Sequence, residues 1–103
     1  MTSLIEIAIE KRLQLQFYYL EENGSGVRIV EPYQLGYNHL GHKVLSAWFL
    51  SGTSRSHPEE TNWRQYLVSQ MTGISVRTEN FLTIRTGYKR APNGLFRMVI
   101  SEV

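Results

Sequence analysis

Two arginine-containing strings hold the residues of this chain that are best suited to chemistry. The first reads Arg28-x-Val-x-Pro-x-x-Leu and the second reads Arg64-x-Tyr-x-x-x-x-Met. Each arginine stands among apolar residues that are typical of β-strands. A guanidinium group on such a scaffold commonly holds phosphate or carboxylate, because its planar fork of donors matches both anions. The strings therefore predict an anion-binding β module, and no catalytic motif in the chain competes with that interpretation.

The composition excludes several classes of site. The chain has 103 residues, no cysteine and, among its nine acidic residues, no aspartate. Disulfides, thiolate metal sites and cysteine or aspartate nucleophiles are therefore impossible. No apolar run approaches the ~20 residues needed to span a bilayer, and no secretory signal pattern opens the chain. We expect one cytoplasmic domain over residues 1–103 that is not an enzyme, has no membrane association and needs no cofactor or metal.

The charge is distributed unevenly along the chain. Residues 1–60 carry five basic and seven acidic side chains, whereas residues 61–103 carry six basic and two acidic ones. The basic group of the C-terminal part comprises Arg77, Arg85, Lys89, Arg90 and Arg97. Such asymmetry favours a polyanionic partner on one face of the protein. Arginines scattered for solubility would give the same composition, so both interpretations stay open.

The residue pattern predicts one short helix followed by several strands. Ser3 and Glu6 form a capping box for a helix that should end near Arg12. Alternating apolar and polar residues then predict a strand over 13–19. Further strands are expected over 27–30, 34–38, 43–50, 63–71, 74–77 and 95–103, and less clearly over 81–86. Pro32 cannot donate to a β ladder, so we expect a break, a bulge or an edge position there.

The connections complete the predicted fold. Asn23-Gly24 is typical of a tight hairpin turn, and residues 51–62 should form the longest loop. A helix followed by short antiparallel strands predicts a mainly β protein. We expect a small SH3- or Sm-like antiparallel barrel preceded by one short N-terminal helix.

The order of these motifs over about residues 4–81 resembles the WYL domain family. Besides the first helix and strand and the two arginine strings, Gly41-x-Lys43-Val-Leu-x-Ala stands at the place of the family's Trp-Tyr-Leu triplet. The resemblance implies an Sm-like barrel that binds nucleic acid or a nucleotide-like ligand, often in transcription regulation or phage defence. It also implies a stand-alone, divergent module with an extra C-terminal strand over 95–103, because no DNA-reading segment precedes the helix in this sequence.

The predicted ligand-binding residues come from these motifs: Arg28, Arg64, Tyr19, Lys43 and Gln70. Alternation along the strand 63–71 should place Arg64 and Gln70 at the two ends of an inward-facing row. Arg28 could instead pair with a neighbouring glutamate, Tyr19 could be a core residue, and Lys43 could be a solvated strand end. The expected partner is single-stranded nucleic acid or a nucleotide-like ligand.

An alternative function rests on the opposite face of the same strand. Trp63 and Leu67 should lie there, joined by Trp48, and exposed apolar patches commonly mark contact surfaces. Leu67 and Gln70 also stand where the family often has arginines. At position 67 an apolar side chain therefore replaces a charged one. The alternative is a protein-interaction or homo-oligomerisation module without a nucleic-acid role. The segment Tyr88-Lys89-Arg90 could touch single-stranded nucleic acid or be an ordinary exposed loop.

Overall fold

One α-helix and six strands make up the part of the chain that a computed structural model describes, residues 2–22, 24–52 and 62–103. In chain order they are α1 Leu4–Lys11, β1 Leu13–Tyr19, β2 Gly26–Tyr37, β3 Lys43–Gly52, β4 Trp63–Leu67, a 3-10 turn Val68–Gln70, β5 Met71–Asn80 and β6 Met98–Glu102. The predicted mainly β, antiparallel fold with one short N-terminal helix is confirmed. Asn23 of the predicted turn and most of the predicted 51–62 loop lie outside the described residues.

Helix α1 begins at the predicted capping box. The Ser3 hydroxyl accepts a hydrogen bond from the Glu6 amide at 3.2 Å, and the Glu6 carboxylate accepts from the Ser3 amide at 3.5 Å. The helix ends at Arg12, whose φ of 56° lies in the left-handed region. Eight residues are too few for an isolated helix to be stable. Burial of Ile5 and Ile9 against the sheet therefore holds the helix in place.

The strands form one antiparallel sheet in the order β4-β3-β2-β1-β5. No ladder joins β4 to β5 among the described residues, so the sheet is open where a closed barrel was predicted. It is nevertheless strongly curled. Phe17 of β1 and Tyr66 of β4 have ring centroids 5.1 Å apart, whereas β1 and β4 would be roughly 14 Å apart in a flat sheet. The concave, inner face thus closes around the core and α1.

A bulge after Pro32 divides β2 into two halves. The register with β3 passes from Pro32 opposite Ala47 to Gln34 opposite Ser46, which leaves Tyr33 as an extra residue. Such a bulge places two consecutive side chains on one side of the sheet, here the outer face. The expected disruption at Pro32 is therefore confirmed as a bulge within a continuous twelve-residue strand.

The two halves of β2 have different neighbours. Residues 26–30 pair with β1, whereas residues 34–37 pair with β6. Gly36 makes this second pairing possible, because a Cβ atom there would overlap the Met98 carbonyl oxygen and lie 2.9 Å from a Phe96 ring carbon. The end of the chain is thereby attached to its central strand.

Residues 81–103, which we call the strap, cross the outer face of the sheet. The strap covers Tyr33, which is fully buried and lies with its ring centroid 5.2 Å from Phe81 and 4.9 Å from Tyr88. Arg85 holds the strap to β2 by two hydrogen bonds of 2.8 and 2.9 Å to the Glu31 carboxylate. The outer face is therefore occupied by the chain's own residues.

Four of the strand predictions were wrong. The strand expected over 63–71 ends at Leu67, because Val68–Gln70 form a 3-10 turn. The next strand is longer than expected, Met71–Asn80 rather than 74–77. No strand forms over 81–86, and the last strand begins at Met98 rather than 95. The described part of the chain contains no helix with the length and apolar character required to cross a bilayer.

Candidate functional site

An open cleft of about 510 Å³ lies between the outer face of the sheet and the strap. The sheet contributes Gln34, Ser46, Trp63, Arg64 and Gln65, and the strap contributes Gly87, Tyr88, Lys89, Asn93 and Leu95. A volume of this size is typical of sites for small molecules and cofactors. The two sides of the cleft differ in their origin, because one comes from neighbouring strands and the other from a segment without regular structure over most of its length.

The floor of the cleft is a polar row across three strands. Gln34 of β2 lies opposite Ser46 of β3, and Ser46 lies opposite Gln65 of β4. Residues opposite each other in an antiparallel sheet project from the same face. Amides and a hydroxyl both donate and accept hydrogen bonds, so this row is suited to a ligand with both kinds of group.

Gln34 connects the floor to the strap. Its amide nitrogen donates to the Lys89 carbonyl at 3.2 Å and to the Glu102 carboxylate at 2.9 Å, and its amide oxygen accepts from Asn93 at 3.0 Å. The Glu102 carboxylate also accepts from the Ala91 amide at 3.0 Å. Gln34 is 1% exposed, whereas Gln65 is exposed. Gln34 therefore fixes the strap, and Gln65 is the floor amide that faces solvent.

The electrostatics of Glu102 agree with this anchoring role. Partial burial disfavours its charged form, but hydrogen bonds from Ala91 and Gln34 and the nearby Arg90 guanidinium outweigh that effect. The net result is a Glu102 pKa below the ordinary value of 4.5. The carboxylate therefore stays ionised at neutral pH and keeps accepting the hydrogen bonds that hold the strap.

Aromatic rings form one wall. Trp63 and Tyr88 are stacked with centroids 6.1 Å apart and an interplanar angle of 26°. The Trp63 indole donates to the Thr86 carbonyl at 2.8 Å, and the Tyr88 hydroxyl donates to the Val103 carbonyl at 2.7 Å. Burial raises the pKa of Tyr88 to about 12, so its phenol is neutral at physiological pH. The wall thus presents fixed, uncharged ring surfaces.

The two cationic residues that line the cleft differ in where their side chains lie. Arg64 lies opposite Ala47 of the core, and its guanidinium lies 5.7 Å from the centre of the Phe49 ring. Because residues opposite each other project from the same face, the Arg64 side chain lies on the inner side of the sheet, and its role as a ligand residue stays a prediction. Lys89 is exposed and forms no ion pair with any residue that the structure describes. Among the described residues that line the cleft, Lys89 is therefore the one that can offer it a cationic side chain.

Most of the remaining C-terminal basic residues are neutralised by glutamates. Arg77 pairs with Glu79 at 2.8 Å, Arg85 with Glu31 at 2.8 Å, and Arg90 with Glu102 at 3.4 Å. The hydrogen bonds that Arg85 donates to the Glu31 carboxylate raise the pKa of Arg85, which stays charged. The asymmetry of charge seen in the sequence is consequently reduced in the folded protein.

A family model described as the WYL domain matches residues 1–76. This chain belongs to the WYL domain family. WYL domains are regulatory, ligand-binding domains. Comparisons with curated proteins and with solved structures find no match. The matched residues end within β5, so they include Trp63, Arg64 and Gln65 of the cleft but no residue of the strap.

Arg28, the first predicted ligand residue of this WYL domain, is 3% exposed. Its guanidinium donates to the Gly24 carbonyl at 2.7 Å, to the Gly26 carbonyl at 3.0 Å and to the Glu21 carboxylate at 3.1 Å. It also lies 5.7 Å from the centre of the Tyr19 ring. This geometry supports the alternative of a pair with a neighbouring glutamate, which fastens the β1–β2 hairpin. A ligand contact by Arg28 stays a prediction.

Three other predicted residues lie away from the cleft. Tyr19 is a buried core residue whose hydroxyl accepts a hydrogen bond from the Leu67 amide at 3.0 Å. Lys43 begins β3 opposite Tyr37. Gln70 is exposed in the 3-10 turn, and the predicted row from Arg64 to Gln70 was wrong because this turn ends the alternation of β4. Their binding roles stay predictions.

The three residues predicted for an interface do share the outer face of the WYL domain. Trp48 packs edge-on against Trp63 with centroids 5.4 Å apart, and Leu67 lies opposite Val44 on the same side of the sheet. All three are half-buried. The strap, which sequence reasoning did not foresee, contacts both tryptophans through Arg85 and Tyr88. A contact surface at this place stays a prediction.

Sequence reasoning missed most of the cleft. Of its lining residues, only Trp63, Arg64 and the pair Tyr88-Lys89 had drawn attention. Single amides such as Gln65 and Asn93 carry no signal in a sequence, because their meaning depends on which strand or loop lies beside them. The available signal was Pro32, since the bulge it marks turns Gln34 toward the outer face.

Proposed function

We propose that this WYL domain binds nucleic acid or a nucleotide-like anion in the cleft beneath the strap. The supporting observation is that stacked rings, a polar floor and the cationic Lys89 line one cleft of about 510 Å³. Rings provide a face on which a base can stack, and a cationic side chain provides a phosphate contact. A nucleotide carries both a base and a phosphate group.

Each lining group has a role in this proposal. Lys89 contacts phosphate, Trp63 and Tyr88 provide stacking surface, and Gln65 donates to or accepts from the edge of a base. Pairing of β4 with β3 fixes the backbone of Trp63 and Gln65, which places these two residues on a rigid element.

We propose a regulatory rather than catalytic role for the domain. The described residues that line the cleft include no carboxylate, imidazole or thiol, which are the groups that most often act as acids, bases and nucleophiles. Ligand sensing in transcription regulation or phage defence, in the cytoplasm, is the cellular role that follows from the family resemblance.

The proposal is tested by fluorescence anisotropy with labelled single-stranded DNA and RNA at low and moderate salt. Lys89→Ala should weaken binding about tenfold or more, since a hydrogen bond to a charged group contributes ~1.5–3 kcal/mol. Arg97→Ala is the matched control: it removes the same charge from an exposed residue outside the cleft. Equal losses in both variants, or no binding by the parent protein, would refute the proposed site.

The second candidate function is assembly with another copy through apolar surface at the end of the β1–β2 hairpin. Tyr18 and Val27, which are paired across the two strands, are 41% and 42% exposed, and Leu20 is 47% exposed. Exposed apolar groups that cluster favour a contact surface. Light scattering over a concentration series tests this candidate. A monomer at every concentration argues against it, whereas an oligomer that Val27→Lys dissociates supports it.

A further inference from the structure

We infer that the outer face of the sheet carries a pocket for an arginine side chain. The strap fills this pocket with Arg85, and an extended, arginine-containing segment of a partner protein can fill it instead. The pocket, which we call the arginine pocket, is formed by Glu31, Tyr33, Trp48 and Trp63. It takes a peptide and lies beside the cleft, so the inference goes beyond the proposed function.

A row of side chains across three neighbouring strands forms the arginine pocket. Glu31 of β2 lies opposite Trp48 of β3, and Trp48 lies opposite Trp63 of β4. Residues opposite each other project from the same face of a sheet, here the outer one. Tyr33 joins them because it is the extra residue of the bulge in β2. The row thus places one carboxylate among aromatic rings.

The contacts of Arg85 are those that distinguish a guanidinium group from other cations. Its Nε donates to one oxygen of the Glu31 carboxylate at 2.8 Å, and its Nη2 donates to the other at 2.9 Å. The guanidinium also lies 5.3 Å from the centre of the Trp48 ring. A planar fork pairs with both oxygens of a carboxylate and stacks on a ring, whereas an ammonium group has no such fork. The arginine pocket therefore discriminates arginine from lysine.

Glu31 makes a cationic occupant necessary. Its side chain is 5% exposed, and within the described part of the chain Arg85 alone donates hydrogen bonds to its carboxylate. A buried carboxylate without a cationic partner is strongly unfavourable. Any segment that covers this part of the outer face must consequently bring a guanidinium group with it.

Backbone groups next to Arg85 are bound as well as its side chain. The Arg85 amide donates to the Tyr33 hydroxyl at 3.1 Å, and the Thr86 carbonyl accepts from the Trp63 indole at 2.8 Å. Main-chain hydrogen bonds combined with an anchoring side chain are a recurring mode of peptide recognition. Every peptide has these main-chain groups, so another arginine-containing segment can form the same contacts.

The segment that fills the arginine pocket is held by little apolar contact. Residues 82–86 form neither helix nor strand, and their two apolar side chains, Leu82 and Ile84, are 75% and 45% exposed. The residues of the pocket lie within the family match, which ends at residue 76, whereas Arg85 lies beyond it. The strap therefore holds the pocket mainly because it is tethered, which gives it an effective concentration on the order of mM.

The test is a titration with the capped peptide Thr-Ile-Arg-Thr, which copies residues 83–86, followed by the NMR signals of the two tryptophan indole N–H groups. Arg85→Ala empties the arginine pocket, so this variant should bind the peptide at least about tenfold more tightly than the parent, in which the strap competes. The same peptide with lysine in place of arginine should bind the variant at least about tenfold more weakly.

Arg77→Ala is the matched control, because Arg77 also pairs with a glutamate, Glu79, but does not reach the arginine pocket. It should bind the peptide no better than the parent does. Adding Glu31→Gln to Arg85→Ala should abolish the gain in affinity. Thermal melts show whether the variants fold, and Arg85→Lys, which keeps the charge and loses the fork, should show a smaller gain if Arg85→Ala does not fold. Parent-like affinity in the folded variant, or equal binding of the two peptides, would overturn the inference and leave the proposal for the cleft standing.

Discussion

The dependence of binding on salt tests whether the cleft, rather than the whole basic surface, holds the ligand. For single strands, the logarithm of the association constant falls with the logarithm of salt concentration by about 0.7 per neutralised phosphate. If Lys89 is the cationic contact, the slope is about −0.7. Raising salt from about 50 to about 200 mM then weakens binding roughly 2.6-fold.

If the nucleic acid instead contacted the whole basic group, the dependence of the association constant on salt would be much steeper. Arg64 together with the five C-terminal basic residues would neutralise about six phosphates, for a slope of about −4.2 and a loss of roughly 300-fold over the same range. Three of those residues are already paired with glutamates, so the smaller value is expected. The assay is anisotropy with a labelled 12-mer at five salt concentrations.

Variants sharpen the same experiment. Lys89→Ala should make the slope of the logarithm of the association constant against the logarithm of salt concentration less negative by about 0.7. Arg97→Ala should leave that slope unchanged, because Arg97 does not line the cleft. A parent slope steeper than about −3 would mean that residues outside the cleft contact the nucleic acid. An unchanged slope in Lys89→Ala would contradict the role of that residue directly.

Three further predictions concern the elements that build the cleft. Gly36→Ala should lower the free energy of unfolding by about 2–4 kcal/mol, because its Cβ atom would overlap Met98; Gly41→Ala, in open space, should cost only about 1 kcal/mol in urea melts. Arg28→Ala should destabilise by about 2–4 kcal/mol, yet the folded variant should keep its ligand affinity; a tenfold loss of affinity would revive the predicted contact. Because the folded pKa of Glu102 is lowered, its stabilising effect is complete above pH 4.5 and is lost as the pH falls through the folded value. Glu102→Gln should flatten that part of the stability curve in acid-titrated thermal melts, and an unchanged curve would exclude this carboxylate as the cause.

Local patterns in the sequence predicted the elements whose cause is local. The capping box at Ser3 can be predicted because both of its residues lie in the first turn of the helix. The alternation over 13–19 predicts which side chains of β1 face the core. Pro32 predicted a disruption from its missing N–H group alone. Tyr66 lies in the core because the alternation of β4 places its side chain on the inner face, and this period can be read without knowledge of the strand's partners.

Features that depend on distant residues could not be predicted in this way. Val68–Gln70 have the composition of a strand, but the chain must turn there from β4 to β5, so tertiary structure outweighs propensity. The burial of Arg28 could not be predicted from the sequence. Its guanidinium donates to three acceptors whose positions depend on the shape of the hairpin loop. The strap has few periodic residues, and only its contacts with the outer face show that it forms one side of the cleft.

The pairing of the strap with β2 also has a consequence for the order in which the protein folds. Residues 98–103 leave the ribosome after the sheet that they cover, and Val103 then donates its amide to the Tyr33 carbonyl at 2.8 Å, seventy positions back in the chain. Contacts of such long range form late. Until they do, Tyr33 and its ring neighbours are an apolar surface that invites aggregation or chaperone binding. The cleft is consequently completed last, and a chain released before the strap is made would lack one side of it.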